Sequence, residues 1–228
     1  MSSTIELDRS RYAAPQLYEL LRQKIVSLEM LPGVPLSRVQ LSAQYNVSQT
    51  PVREALLKLA EERLVDVFPQ SATKVSLIDI SFAQETHFLR LAIELEIVRE
   101  LALKNSARLV AELKAFLRRQ EVLRDNEDFS AFALADEAFH RCMYRAVDKD
   151  ALWTLVRSRS GHIDRLRRLH LPAVGKLNRI VSDHSHIVSA IEQGDPALAQ
   201  QSLRAHLSET LAYIGQIRVD HPQFFTAA

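Results

Sequence analysis

At 228 residues, with 47% hydrophobic and 25% charged side chains, the chain has globular usage and enough length for two ordinary domains, which excludes disorder as the default. A single cysteine, Cys142, excludes an intrachain disulfide, and no stretch reaches the roughly 18–20 uninterrupted apolar residues of a spanning helix. The net charge of +1 neither announces nor excludes a nucleic-acid partner, and without a basic start followed by an apolar run the expected location is cytoplasmic, with no membrane partner.

Residues 1–14 are polar and read as a flexible arm. From Pro15 to Met30, Leu17, Leu20, Leu21, Ile25 and Leu28 share one helical face, and Pro32-Gly33 is read as the end of that helix. A short second helix starts at the N-cap candidate Ser37, carries Val39, Leu41 and Ala43, and ends near Asn46. Ser48 is the N-cap candidate of a third, with Pro51 in its first turn and Val52, Leu56, Leu57 and Leu59 along its inner side. Two β-type runs, 64–68 and 73–77, flank a polar turn. Three helices closed by a hairpin predict a winged helix-turn-helix over 15–77.

The remainder, 78–228, is predicted to be all helical, in six stretches: 80–104, 107–124, 128–147, 149–171, 174–193 and 196–218. The short breaks at Asn126-Glu127, Asp148-Lys149 and Gly194-Asp195-Pro196 favour an antiparallel bundle. The fold class is therefore mainly α, a winged helix-turn-helix followed by a helical bundle.

In a helix-turn-helix the first turns of the second helix face base edges in the major groove. Here they carry Ser48, Gln49, Thr50 and Arg53: two hydroxyls for phosphate and two longer side chains with the reach of a base. Arg38 and Lys74 are placed to pair with the phosphodiester backbone. By spacing alone, the same residues describe a solvated helical surface equally well.

Asp136 and His140 stand four apart on one helix face. His184 and His206 lie about ten residues either side of the turn at 194–196, so an antiparallel pair of helices can bring them level. One carboxylate and three imidazoles suit Zn²⁺ or Ni²⁺, although an Asp-x-x-x-His pair on a helix more often makes a surface hydrogen bond. His186, two residues from His184, points to another face, and His162 and His170 sit in an arginine-rich run, Arg157 to Arg168, that reads as a solvated face with a part that can line an anion pocket.

The run from Leu17 to Ser76, and above all Asn46-Val47-Ser48-Gln49-Thr50-Pro51-Val52-Arg53-Glu54-Ala55-Leu56, resembles the winged-helix domain of GntR-superfamily regulators. Asp136-Glu137-Ala138-Phe139-His140, Asp183-His184, Gly194-Asp195 and His206-Leu207 resemble the FCD effector domain of the FadR subfamily, in its six-helix, VanR-like group. The resemblance implies a homodimer on palindromic operator DNA, contacted by Ser48, Gln49, Thr50 and Arg53, with the hairpin tip at Gln70 and Ser71 in the minor groove. It implies a divalent metal on Asp136, His140, His184 and His206, with a small carboxylate or sugar-acid effector beside it that releases a repressor. Arg90 occupies the place of an arginine in the family's pocket, where it can grip the effector or simply pair with Glu94. Rival readings are a metal sensor without organic effector and a metal-dependent hydrolase, for which no acid or base is convincingly placed.

This chain departs from the family at Gln49, where Arg is common, at Ser71-Ala72, where Arg-Gly is common, and at Phe88, where Glu is frequent. Glutamine suits adenine N6/N7 and arginine suits guanine O6/N7. Gln49→Arg is therefore expected to change the preferred base at one operator position from adenine to guanine in a selection of bound DNA, and identical selected sequences for both proteins would refute that contact.

Overall fold

The computed structural model describes residues 7, 8, 10–67 and 73–226. They form two compact units, one of residues 1–80 with 220–228 and one of residues 81–219.

The first unit is built on α1 (Ala13–Val26), α2 (Arg38–Gln44) and α3 (Gln49–Glu61), with three strands, β1 (Pro35–Leu36), β2 (Val65–Asp66) and β3 (Thr73–Val75). Leu17, Leu21 and Ile25, four residues apart, form the buried ridge of α1 and meet Leu41, Val52, Leu56, Leu59, Leu64 and Val75 in one core. α1 stops four residues earlier than its apolar pattern suggests, because Leu28 turns left-handed (φ 64°) and the Met30 N–H closes back on the Lys24 carbonyl at 2.9 Å. Ser37 caps α2 by accepting the Gln40 N–H. The turn into α3 passes through left-handed Asn46 and is held by the Ser42 hydroxyl on the Val47 carbonyl.

The sheet has the order β1-β3-β2, all antiparallel, with Pro35 opposite Lys74 and Val65 opposite Val75. β1 is too short to show an alternating pattern and was not expected. Gly33 (φ 84°) lets the chain turn from α1 into it, and the Gly33 N–H reaches the Val75 carbonyl at 2.8 Å. The hairpin tip, with Gln70 and Ser71, lies outside the described residues. Residues 220–226, expected with the bundle, group with this unit: the Ile78 N–H donates to the Phe224 carbonyl and the Thr226 N–H to the Ile78 carbonyl.

The second unit contains α4 (Ile80–Lys104), α5 (Ala107–Asp125), α6 (Phe129–Ala146), α7 (Asp150–Arg159), α8 (Gly161–His170), α9 (Lys176–Glu192), α10 (Pro196–Ala212) and most of α11 (Ile214–Asp220). Ser106, Asp128 and Asp195 cap α5, α6 and α10 with their side chains, and Pro196 follows Asp195 at the first helical position. The stretch expected as one helix over 149–171 breaks at Ser160, whose hydroxyl donates to Asp164 at 2.8 Å where Arg157 also binds at 2.7 Å. Serine and glycine in succession, with an acid folding back on the first turn of α8, supply the interruption. The last stretch likewise divides at Tyr213. The first six helices end on or just before a non-glycine residue of positive φ: Leu28, Asn46, Arg63, Asn105, Glu127 and Asp148.

α9 lies against α5 and α10, and α6 against α5 and α7. Leu101, Leu113, Phe139, Met143, Tyr144, Ile187, Ile191 and Leu203 fill the space between. Leu101 is part of this core, whereas Leu155 is exposed. The arginine-rich run is not the solvated face expected of it: His162, Arg165 and His170 are buried. Among the described residues no helix is long and apolar enough to cross a membrane.

In the first unit the buried Tyr18 hydroxyl donates to Glu62, and Arg22 Nε binds the other carboxylate oxygen at 2.7 Å, tying α1 to the end of α3. Glu62→Ala leaves Tyr18 with no acceptor there and removes the ion pair, a loss of about 2–3 kcal/mol. A urea midpoint unchanged from the wild type, followed by circular dichroism, would contradict that role.

Candidate metal centre

The centre is assembled from helices that are distant in sequence. Asp136 and His140 leave α6 one turn apart, His184 comes from α9 and His206 from α10. All four are buried, and one ligand atom from each lies within 4.8 Å of the others. His184 Nε2 stands 3.1 Å from His206 Nε2, which is 3.3 Å from His140 Nε2, and Asp136 Oδ1 is 3.7 Å from His184 Nε2.

The opposite ring nitrogens decide the protonation. His140 Nδ1 lies 2.8 Å from Glu94 Oε2 and His184 Nδ1 lies 2.9 Å from Gln120 Oε1. Those oxygens accept and do not donate at neutral pH, so both rings carry their proton on Nδ1 and turn a bare lone pair inward at Nε2. His206 Nδ1 makes no hydrogen bond among the described residues and faces Asp183 Oδ2 at 3.5 Å. Burial, reinforced by Arg90, pushes the His140 imidazole down to about 4, and burial with neighbouring His206 drives His184 well below its usual value. A second proton is thus kept off these two rings.

The His140 and His184 lone pairs both meet His206 Nε2, an arrangement that a cation between the three nitrogens would satisfy. Metal–nitrogen bonds of about 2.0–2.1 Å set ligands about 3.3 Å apart at tetrahedral angles and about 2.9 Å apart at right angles, and the two spacings from His206 Nε2, 3.1 and 3.3 Å, lie in that range. Asp136 fits the same purpose. Its Oδ2 is bound by Arg167 from α8, while Oδ1 is buried with no hydrogen-bond partner among the described residues. Burial works to raise the Asp136 carboxyl, but the neighbouring Arg167 guanidinium leads the opposing effects and the carboxyl is held well below its usual range.

Glu94, Gln120, Asp183 and Arg167 form the outer layer of this centre, and sequence reasoning assigned none of them to it. Glu94 had appeared only as the neighbour of Arg90, which it binds at 2.6 Å. Burial would raise the Glu94 carboxyl, yet Arg90 and His140 bring it down to about 2. Arg90 therefore fulfils one alternative, the pair with Glu94, and also lines a cleft beside the centre. That cleft is bordered by His87, Arg90, Arg167, Lys176, His206 and Thr210 and spans about 440 Å³ including its mouth. His162 and His170 are buried elsewhere in the bundle, and His186 is exposed.

In the first unit Ser48, Gln49, Thr50 and Arg53 all lie exposed at the start of α3, and Ser48 makes no side-chain capping bond. Arg38 is exposed on the first turn of α2 and Lys74 on the central strand β3.

The pairing of such a surface with such a bundle has a counterpart among known proteins. Residues 13–75 match the bacterial regulatory proteins of the gntR family, and residues 85–209 match the FCD domain. The chain belongs to the GntR family of transcription regulators. It is 39% identical over 214 residues, 92% of this chain and 88% of the relative, to an uncharacterized HTH-type transcriptional regulator in an unstable DNA locus of Streptomyces ambofaciens. It is 28% identical over 226 residues, 99% of both chains, to the HTH-type transcriptional repressor RspR of Escherichia coli. The fold is that of E. coli McbR/YncC, with a TM-score of 0.77 at 21% identity over 90% of this chain and 98% of that one. These GntR relatives and matched domains are DNA-binding regulators rather than enzymes.

Outer-layer carboxylates that orient metal-binding imidazoles typically contribute 10–100-fold to affinity. Glu94→Gln is expected to weaken zinc binding by about that factor in a competition with a chromophoric chelator, with helix content retained. Zinc affinity equal to that of the wild type would show that His140 needs no such support.

Proposed function

We propose that this GntR regulator is a homodimeric repressor released from its operator by a small carboxylate or sugar acid bound beside a divalent metal, Zn²⁺ or Ni²⁺ being the ions that suit the ligands best. The observation that carries the reading is the meeting of three imidazole Nε2 atoms with Asp136 Oδ1, which has no hydrogen-bond partner among the described residues, at the edge of a cationic cleft. Asp136, His140, His184 and His206 would hold the ion, which when bound supplies positive charge and an open position for an effector oxygen.

The protein's own groups do the rest. Arg90 and Arg167 both border the cleft, and Arg90 uses only its Nε on Glu94, which leaves donors for a carboxylate. The water-sized space inside the cleft is only about 20 Å³, room for about one water, so an effector enters only if side chains yield. Arg167 is the side chain placed to do so, because releasing Asp136 to a metal frees its guanidinium for a ligand carboxylate.

At the other end of the chain Ser48, Thr50, Arg38 and Lys74 would hold phosphates while Gln49 and Arg53 read bases. Exposed Phe88 and Leu103 on α4 and Leu155 on α7 offer apolar surface for a second subunit, and a two-fold dimer matches a palindromic operator. An effector changes operator affinity only through unequal binding to the two arrangements of the regulator, typically 5–150-fold.

Gel-shift titration on the gene's own upstream DNA, with a carboxylate library and with or without chelator, tests the reading. The inducer is expected to weaken operator binding by about 5–150-fold. The double variant Asp136→Ala, His140→Ala is expected to lose both bound metal and this response. Metal stoichiometry unchanged in that variant would remove the proposed centre.

A further inference from the structure

The cleft beside the metal centre is furnished differently at its far side. Lys176 opens α9 directly after left-handed Gly175, eight residues and thus about 12 Å along the helix from His184. It is buried, and its Nζ lies 2.5 Å from Glu209 Oε2 on α10. Arg179, largely solvated, reaches the other Glu209 oxygen at 3.3 Å. Thr210, the residue after Glu209, borders the same cleft, one turn beyond His206. His170, just before the cleft residue Leu171, is buried with Nδ1 lacking a hydrogen-bond partner, and it feels the charges of Lys176 and Glu209.

An ammonium group has three donors, and among the described residues only the one directed to Glu209 has a partner. The Lys176 charge is already countered by a carboxylate with little access to water. A second carboxylate placed here would compete with Glu209 for the same cation and put two like charges together in a poorly solvated corner. A hydroxyl group accepts from Lys176 and donates to Glu209, so it leaves the pair intact.

We infer that the Lys176–Glu209 pair, with Thr210, is a specificity device that reads a neutral hydroxyl on the effector and makes the cleft select hydroxylated monocarboxylates over dicarboxylates of equal length. The inference rests on the carboxylate reading of the cleft given above. A site built to hydrogen-bond a hydroxyl discriminates strongly against analogues without one, because its buried groups are then left unpaired.

Calorimetric titration of the full-length, zinc-loaded protein with two pairs of acids, gluconate against adipate and threonate against succinate, tests it. In the wild type the hydroxylated monoacid of at least one pair is expected to bind at least tenfold more tightly. Glu209→Gln frees Lys176 and is expected to strengthen the dicarboxylate about fivefold or more, collapsing the preference. Glu209→Asp, which withdraws the carboxylate by one methylene and keeps its charge, should move the ratio in the same direction and serves if the first variant fails to fold. Equal binding within both pairs, a wild-type preference for the dicarboxylate, or a ratio unchanged in folded variants overturns the specificity role while leaving a carboxylate cleft in place. If none of the four acids binds the zinc-loaded wild type, the carboxylate reading falls and the specificity role with it.

Discussion

Three imidazole nitrogens held face to face in a buried space are the constraint around which the bundle is arranged. The rings cannot simply turn away, because Glu94 and Gln120 grip two of them from behind. Those two side chains come from α4 and α5, while the rings and Asp136 come from α6, α9 and α10. Five helices must therefore be in mutual register at one point. The apolar layers around them, such as Phe139 stacked on His184 at 4.1 Å between ring centres, keep that register and exclude water. Exclusion of water in turn keeps His140 and His184 neutral and their Nε2 lone pairs available.

The surrounding charges follow from the same burial. Arg90 neutralises Glu94 and Arg167 neutralises Asp136, so the ionised groups of the interior come in matched pairs. Such pairs add little net stability compared with apolar packing, yet losing one partner typically costs about 3–5 kcal/mol. They therefore specify one arrangement of helices more than they strengthen it. The two arginines differ in what they can do next: Arg90 is tied to a residue that supports a ring, whereas Arg167 is tied to a residue that faces the centre itself.

What the amino-acid string revealed, and what it hid, divides along the same line. Apolar spacing, the cap at Ser37 and the short polar breaks are local signals, and with the Asn46–Leu56 string they made the helix-turn-helix and the bundle readable. The Asp136–His140 pair was visible because a helix puts positions four apart on one face. His184 and His206 needed the resemblance to be joined to it. Glu94, Gln120 and Arg167 stayed hidden, since each acts across tertiary distance and none carries a spacing signal. The arginine-rich run misled for a related reason: charge in a sequence predicts exposure only when no buried partner awaits it, and Asp164 and Asp136 are such partners. The two-residue β1 and the break at Ser160 are shorter than any periodicity can register.

The left-handed residues that end the first six helices also bear on the unfolded chain. For Leu28, Arg63 and Glu127 that conformation costs about 1–2 kcal/mol each, a strain that Asn46, Asn105 and Asp148 bear more easily. Glycine would relieve it but would widen the range of conformations open to the denatured backbone, returning about 0.5–1 kcal/mol of the gain. With only five glycines in 228 residues, the chain accepts local strain in its native turns and keeps a narrower denatured ensemble. Its margin of stability is thus set partly by conformations that the folded protein never visits.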